Sequence, residues 1–526
     1  MKLNRIFPVS RSLVSKETWE EIKKIWEKSQ DADNLPDSFF SEIASLRLPG
    51  AIPDLIRLEL AIYQTQRKPA DFPKESEKIA LNPTLQVLSL SWKNLPLFIK
   101  QKGLQAPSSI QLGPEWVLIW QDPNSRKLQF ETASDEELLA LKMLVEGLEV
   151  EEVARMGSLP ITHVEKAIDR SVAKGILISS PSKIRRDPQI FPQGKVTQEH
   201  FFSSPVFTLQ WHITQACDLH CLHCYDRSSR LALSLGQSLE ILEDLRHFCR
   251  SQNVRGHISF TGGNPFLNPN FFAIYQAAFE KGFSVAILGN PVAQEKIEKI
   301  SSIQNPAFYQ VSLEGLPEHN DHMRENGHFD RTLRFLALLK DQGIYSMVML
   351  TLTRDNLHQV LPLAEILRDK TEAFFFNRLS MVGEASKLLL PTPGEFQQFL
   401  RTYLQASREN PILGLKDNLF NILFYQNGGE LFGGCAGYGC SAAFNFLTLL
   451  PDGEVHACRK FPSPIGNISN QSFEELYTSK RAKEYRAGSK ACAPCPIRPV
   501  CGGCLAVSSS LGLDIFEDRD PFCFFE

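Results

Sequence analysis

No cysteine precedes Cys217, and no stretch of the 526-residue chain approaches the roughly 18 consecutive apolar residues that span a bilayer. The segment from Met1 to Ser15 carries basic residues but no apolar run of the kind a secretion signal needs. A strong charge of either sign is also lacking. The formal net charge is −4 at pH 7, which gives no support to a protein that coats nucleic acid. Tandem repeats and low-complexity tracts are absent. These gaps lead to the expectation of a cytoplasmic protein with no nucleic-acid and no membrane partner.

What is present has an ordinary balance, with 43% hydrophobic and 22% charged residues. A chain this long exceeds one hydrophobic core, so three or four domains are expected. The unusual feature is where the twelve cysteines lie. Eight fall between Cys435 and Cys523, and three more between Cys217 and Cys224. In a reducing cytosol, clustered thiols bind metal more often than they form disulfides.

Residues 1–105 read as a helical domain. Trp19, Ile22 and Trp26 recur at helical spacing, as do Leu55, Leu58 and Ile62. Residues 106–180 read as a separate winged-helix-like module. Trp116–Trp120 and Lys127–Phe130 form a hairpin around the turn Asp122-Pro123-Asn124-Ser125. Helices follow at Asp135–Glu146, Val150–Met156 and Thr162–Lys174, with Ser134 and Glu137 as a capping box and Gly175 as the stop. Such a module reads DNA or docks a peptide on its strand edge. From Glu131 to Arg170 ten acidic residues face four basic ones, which favours a peptide over phosphates.

Residues 181–205 read as a linker. Strand and helix signals then alternate through 206–400. Strands are expected at Val206–Ile213, His257–Thr261, Ser284–Leu288, Tyr309–Leu313, Ser346–Leu352 and Ala373–Asn377, with helices such as Ser238–Cys249 and Phe271–Lys281 between them. Six such units indicate an α/β fold with a parallel barrel or sheet, whose sites gather at the C-terminal strand ends. A bridging region, 401–434, leads to a cysteine-rich domain at 435–526.

Cys217-x3-Cys221-x2-Cys224 directly follows the first expected strand. Three thiolates in a compact loop can hold three irons of a [4Fe–4S] cube and leave the fourth iron open. Zinc, with His220 or His223 as a fourth ligand, is the alternative on spacing alone. With its position, the loop resembles the motif of the radical S-adenosylmethionine (SAM) superfamily, in which His223 takes the place usually held by an aromatic residue. The resemblance covers roughly residues 206–400 and implies a partial (β/α)6 barrel. In that family the open iron binds SAM, and its reductive cleavage yields a 5′-deoxyadenosyl radical that abstracts hydrogen from the substrate. The resemblance also implies SAM contacts. Thr261-Gly262-Gly263-Asn264-Pro265 is similar to the family's Gly-Gly-Glu-Pro, with Asn264 in place of Glu. Glycine there permits close backbone approach. Ser312-Leu313-Glu314-Gly315 is similar to the family's Ser-Leu-Asp-Gly, whose Ser contacts the ribose. Arg324 is a candidate partner of the SAM carboxylate.

The second constellation is Cys435-x4-Cys440-x17-Cys458, then Cys492-x2-Cys495-x5-Cys501-x2-Cys504-x18-Cys523. Eight thiolates suffice for two [4Fe–4S] clusters or for two zinc sites. Leu450-Pro451-Asp452-Gly453-Glu454-Val455-His456-Ala457-Cys458 and the paired Cys motifs resemble the SPASM domain of peptide-modifying radical SAM enzymes. The resemblance implies that Cys435, Cys440, Cys458 and Cys504 hold one auxiliary cluster and Cys492, Cys495, Cys501 and Cys523 the other. The twelfth thiol, Cys249, lies on an apolar helix face and reads as a buried core residue.

The resemblance further implies a ribosomally made precursor peptide with a leader as substrate, and an electron donor such as flavodoxin or ferredoxin. The segment from Cys435 to Pro462 is most similar to the selenobiotic-peptide maturases, which implies a Cys- or selenocysteine-containing peptide. Two other readings compete: an anaerobic sulfatase-maturase-like, formylglycine-forming enzyme, and a non-enzymatic zinc-binding regulator.

Overall fold

The computed structural model describes residues 3–28, 37–46, 48, 50–69, 72, 79–101, 110–123, 125–157, 161–191 and 196–525. The chain forms two compact units, residues 1–181 and 182–526.

In the first unit, helices at Lys16–Lys28 and Ile52–Arg67 bury Trp19, Ile22, Leu55 and Leu58, as the helical spacing requires. Strands β1 (Ala80–Leu81), β2 (Gln86–Lys93), β3 (Gln111–Gln121), β4 (Leu128–Thr132) and β5 (Leu177–Ile178) follow. The hairpin expected around Asp122 is β3–β4; Asn124 of its turn lies outside the described residues. Helices at Asp135–Glu146, Val150–Gly157 and Ile161–Ala173 come next, and both halves of the Ser134/Glu137 capping box are formed.

The expected boundary at residue 105 does not hold. β2 pairs with β3 along almost its whole length, so residues 86–93 belong to the same sheet as the hairpin. The alternating pattern of β3 explains why the halves cannot part. Leu118 and Trp120 pack among the helices of 135–173, whereas Val117 and Ile119 pack with Leu55, Leu58 and Ala61 of the N-terminal helices. One sheet serves two cores.

The second unit is built on strands β6 (Val206–Thr214), β7 (Arg255–Gly262), β8 (Ser284–Leu288), β9 (Tyr309–Ser312), β10 (Ser346–Leu352), β11 (Ala373–Arg378), β12 (Phe446–Leu449), β13 (Glu454–His456) and β14 (Pro464–Asn467). Their order is β11-β10-β9-β8-β7-β6-β12-β13-β14. β6 to β11 are mutually parallel, with helices between them, as in a partial (β/α)6 barrel. The cysteine-rich segment extends this sheet: β12 is parallel to β6 and continues into an antiparallel hairpin.

One face of the sheet packs on helices. Phe207 meets Phe248 at 4.8 Å between ring centres, and Phe260 meets Phe271 at 5.6 Å. By strand alternation, His212 and Thr261 lie on the opposite face.

Residues 181–205 are not a free linker, a correction that their aromatic content explains. Ile184, Phe191, Val196, Phe201 and Phe202 join the core of the second unit; 192–195 lie outside the described residues. Arg186 stacks between Phe191 and Phe444 and donates to the carbonyls of Tyr438 and Cys440.

A buried ion pair ties the barrel to the cysteine-rich segment. Arg378, at the end of β11, donates to both carboxylate oxygens of Asp520 at 2.9 and 2.8 Å and to Asp417 at 2.7 Å. Asp520 in turn accepts from the Cys504 N–H at 2.8 Å. Removing one member strands a buried charge. Asp520→Ala is expected to cost about 3–5 kcal/mol, measured by denaturant unfolding of the second unit under anaerobic conditions.

Acid is expected to destabilise the same unit. Burial, aided by Arg324 and Arg331, pushes His328 down to about 3, and burial pushes His257 down to about 4. The unfolded chain takes up these protons near pH 6.5 and the native state refuses them. Stability is therefore full above pH 6.5 and falls as pH drops through the window from 6.5 toward 3. Thermal unfolding across that range checks it, with a shallower slope expected for His328→Gln.

Candidate functional site

The Cys217–Cys224 loop leaves the C-terminal end of β6 and is stapled to the turn that leaves β7. Gly263 N–H donates to the Thr214 carbonyl at 2.9 Å, and Asn264 N–H to the Ala216 carbonyl at 2.8 Å. Only glycine fits here. A Cβ on Gly262 would lie 2.1 Å from the Thr214 carbonyl oxygen, with φ at +137°, and one on Gly263 would lie 2.1 Å from the Ala216 carbonyl oxygen. The close approach expected from the Gly-Gly pair is thus made to the cysteine loop itself.

Polar side chains surround that loop. Asn264 donates to both oxygens of Asp218 at 3.3 and 3.2 Å, so a carboxylate stands beside Asn264 even though the motif's Glu is missing. Asn290 donates to Asp218 at 2.5 Å and to Cys217 Sγ at 3.7 Å. The Tyr309 hydroxyl holds the Asn290 carbonyl at 2.8 Å.

On the far side of the thiols, Glu314 is buried and binds three groups. Its Oε1 pairs with Arg324 at 2.6 Å and lies 3.3 Å from His223 Nε2; its Oε2 accepts from Thr351 N–H at 2.8 Å. Despite burial, which opposes ionisation, Arg324 and the Thr351 N–H hold Glu314 below the usual carboxylate range. Arg324 also donates to Cys221 Sγ at 3.6 Å. Its guanidinium is therefore engaged by Glu314 and a thiol. His223 is pushed down to about 4 by burial, so it is neutral at pH 7. Ser312 ends β9 two residues before Glu314. The sequence reading missed Asp218, Asn290 and the pairing role of Glu314; the acidic residue in the Ser-Leu-Glu-Gly motif was the available signal for the last.

The eight C-terminal thiols fall into two sets. Cys440 acts electrostatically on Cys458 and is itself acted on by Cys504 and Cys435, and burial raises Cys440 to about 11 and Cys458 to about 12. Cys492, Cys495, Cys501 and Cys523 form the other set, with Cys501 held well above the usual thiol range by burial. These four line a cavity of ≈ 130 Å³ with Arg498, Arg519 and Asp520. Such thiols ionise when a metal displaces their protons, so the donor chemistry fits iron–sulfur ligation. Among the described residues no three His, Cys, Asp or Glu side chains converge on one point for a single ion. A four-iron cube spreads its ligands over its corners. Cys249 is buried in the barrel core.

Comparison with known proteins fits this geometry. Residues 211–367 match the model of the radical SAM superfamily, and residues 440–504 match that of the SPASM iron–sulfur cluster-binding domain. The chain is 26% identical over 308 residues to the antilisterial bacteriocin subtilosin biosynthesis protein AlbA of Bacillus subtilis, covering 56% of this chain and 66% of AlbA. It is 29% identical over 336 residues to the mycofactocin maturase MftC of Mycolicibacterium smegmatis, covering 60% of this chain and 82% of MftC. The crystal structure of Streptococcus suis SuiB superposes with a TM-score of 0.50 at 16% identity, over 78% of this chain and 96% of that one, and shows the fold. The chain thus carries a radical SAM domain, with a [4Fe–4S] cluster and SAM as cofactors, and a SPASM domain that binds auxiliary iron–sulfur clusters. It is an enzyme of radical chemistry.

Two variants test the site. Cys217→Ala is expected to abolish 5′-deoxyadenosine formation while leaving the auxiliary clusters visible by EPR; retained 5′-deoxyadenosine would refute the assignment of the open cluster to this loop. Gly263→Ala forces the turn and the loop apart, and should lower iron at the first site without changing the other two, read by iron and sulfide analysis.

Proposed function

We propose that this enzyme modifies a ribosomally made, Cys-containing precursor peptide, selenocysteine-containing in some substrates, in the manner of the selenobiotic-peptide maturases. Cys217, Cys221 and Cys224 hold the SAM-binding cluster. Cys435, Cys440, Cys458 and Cys504 hold the first auxiliary cluster, and Cys492, Cys495, Cys501 and Cys523 the second. When loaded, the open cluster supplies one-electron cleavage of SAM and so a radical able to abstract hydrogen. The chain's own residues position and shield. The Gly262–Gly263 turn fixes the loop, Ser312 lies where the family's ribose contact stands, and His223 packs beside the thiols. Arg324, anchored by Glu314, donates to Cys221 and would be a candidate partner for the SAM carboxylate. An electron donor of the flavodoxin or ferredoxin type, in the cytoplasm, completes the cycle.

The observation that carries the reading is the three-way grouping of eleven thiols, three on the Cys217–Cys224 loop and eight in two sets of four, which suits one open and two closed clusters. Fully ligated clusters relay electrons or brace the fold; they leave the substrate to the open site. Support for a peptide comes from the first unit. β2 and β4 each pair only with β3 among the described residues, so each leaves an edge for an added strand. Trp116, on the central strand β3, is 47% exposed. The acidic helices next to it suit a leader rich in Lys and Arg, whose binding weakens with added salt. AlbA, named for biosynthesis of the bacteriocin subtilosin, and MftC, named as a mycofactocin maturase, are similar to 56% and 60% of this chain.

Mass spectrometry of a candidate Cys-containing peptide tests this after anaerobic incubation with SAM and reductant. A mass change that requires both reagents and the peptide cysteine is expected. Modification of a leaderless peptide at an unchanged rate would remove the role given to residues 106–180. An unmodified peptide with undiminished SAM cleavage would leave the chemistry and exclude that substrate.

A further inference from the structure

Next to the Cys217–Cys224 loop, on the sheet face turned away from the helices, lies a group of polar side chains that no ligand assignment uses. His212 of β6 is in register with Thr261 of β7, and Thr448 of β12 is in register with Gln210, two residues before His212. All four side chains therefore share that face. Tyr225 and Arg459 adjoin them. The His212 and Tyr225 rings are 6.5 Å apart between centres, the Arg459 guanidinium carbon lies 4.6 Å from the Tyr225 ring centre, and Arg459 Nη1 donates to Thr261 Oγ1 at 3.2 Å.

These groups are buried without enough partners. His212 is 1% exposed, and neither of its ring nitrogens has a hydrogen-bond partner. The Tyr225 hydroxyl, Thr448 Oγ1 and Arg459 Nε are buried and unpaired as well. Since about 90% or more of buried polar groups are satisfied in folded proteins, five orphaned atoms in one place call for a ligand. The set is rich in donors: Arg459 Nε–H only donates, both hydroxyls can donate, and a neutral imidazole offers one N–H. Burial keeps His212 neutral, and the Arg459 guanidinium is a cation. The neighbouring acids, Asp452 and Glu454, are taken by Arg230.

The geometry points to a carboxylate receptor in the barrel, with Arg459 as its cation and Tyr225 and His212 as neutral donors. This rests on the reading that Cys217, Cys221 and Cys224 hold the SAM-binding cluster, because that places the receptor at the reaction centre. A carboxylate matches it in acceptor number and charge, whereas an amide carbonyl would leave Arg459 uncompensated. SAM and the peptide substrate can each bring one.

Acetate labelled with 13C at its carboxyl carbon is the probe, and acetamide, of the same shape without the charge, is the control. In the full chain with its clusters reconstituted and reduced, paramagnetic iron shortens the relaxation of any small molecule that exchanges into this site. The expected result is faster relaxation for acetate than for acetamide, with an apparent affinity for acetate about tenfold weaker in Arg459→Gln, as loss of a charge-assisted hydrogen bond implies. Tyr225→Phe, which keeps the ring and loses the hydroxyl, should weaken it by a smaller factor. Iron, sulfide and EPR measurements establish that each variant is loaded; should Arg459→Gln not load, Tyr225→Phe and His212→Phe carry the comparison. Added SAM separates the sources. Loss of the acetate effect assigns the receptor to the SAM carboxylate, and its persistence assigns it to the substrate's. Equal relaxation of acetate and acetamide, or acetate binding unchanged in the loaded variants, would overturn the proposal. None of these measurements needs a modified peptide, so failure of the peptide reading stays a separate result.

Discussion

The site depends on one backbone contact: the strand-end turn at Gly262–Gly263 pressed against Thr214–Ala216. Two N–H groups of the turn donate to two carbonyls of the loop, at a separation that admits no Cβ. Three thiols on a short loop would otherwise sample many arrangements, and ordering each residue costs roughly 1–2 kcal/mol. The staple takes that freedom away before any iron arrives. Asn264 and Asn290 extend it to Asp218, and Asp218 sits between the first two cysteines of the loop.

A second constraint works on the opposite side. Glu314, Arg324 and His223 form a buried group in which one carboxylate faces a guanidinium and a neutral imidazole. Burying charge without a partner is costly, so each group fixes the others. Arg324 then has a defined direction toward Cys221, and the loop is gripped between a backbone staple and an ion pair. The SPASM thiols are gripped in a related way. Asp520 holds Arg378 of the barrel and the Cys504 N–H at once, so the last barrel strand and the Cys504 backbone share one carboxylate.

Much of the fold was legible because the strand and helix periods of the barrel are local signals. The strands at Ser284–Leu288 and Ser346–Leu352 have the bounds that their apolar runs indicate, and the capping box at Ser134 is formed. β2 was missed although Leu88, Leu90 and Trp92 alternate with Ser89, Ser91 and Lys93; the helical pattern of the preceding 60 residues outweighed a period of two. The segment 181–205 was misread because its Pro and Gly content suggested a linker, while Phe191, Phe201 and Phe202, the residues that bury it, carry no periodic pattern. At the site, motif spacing located the thiols. The groups around them were illegible, because Asp218–Asn290, Arg378–Asp520 and Tyr225–Arg459 are pairs that only the tertiary fold brings together.

The position of Arg459 bears on how the two cysteine regions act as one enzyme. It follows Cys458 in the chain and stacks on Tyr225, which follows Cys224. A side chain borne by the cysteine-rich segment thus reaches the neighbourhood of the Cys217–Cys224 loop, and β12 lies against β6 in the same sheet. Had the cysteine-rich segment been an independent module on a tether, its electrostatics would be screened within about a Debye length of water. Joined to the barrel by a shared sheet and a buried ion pair, it acts across a dry interior where a single cation has a strong field. The cysteine-rich segment therefore contributes a cation, Arg459, to the buried polar group beside the Cys217–Cys224 loop.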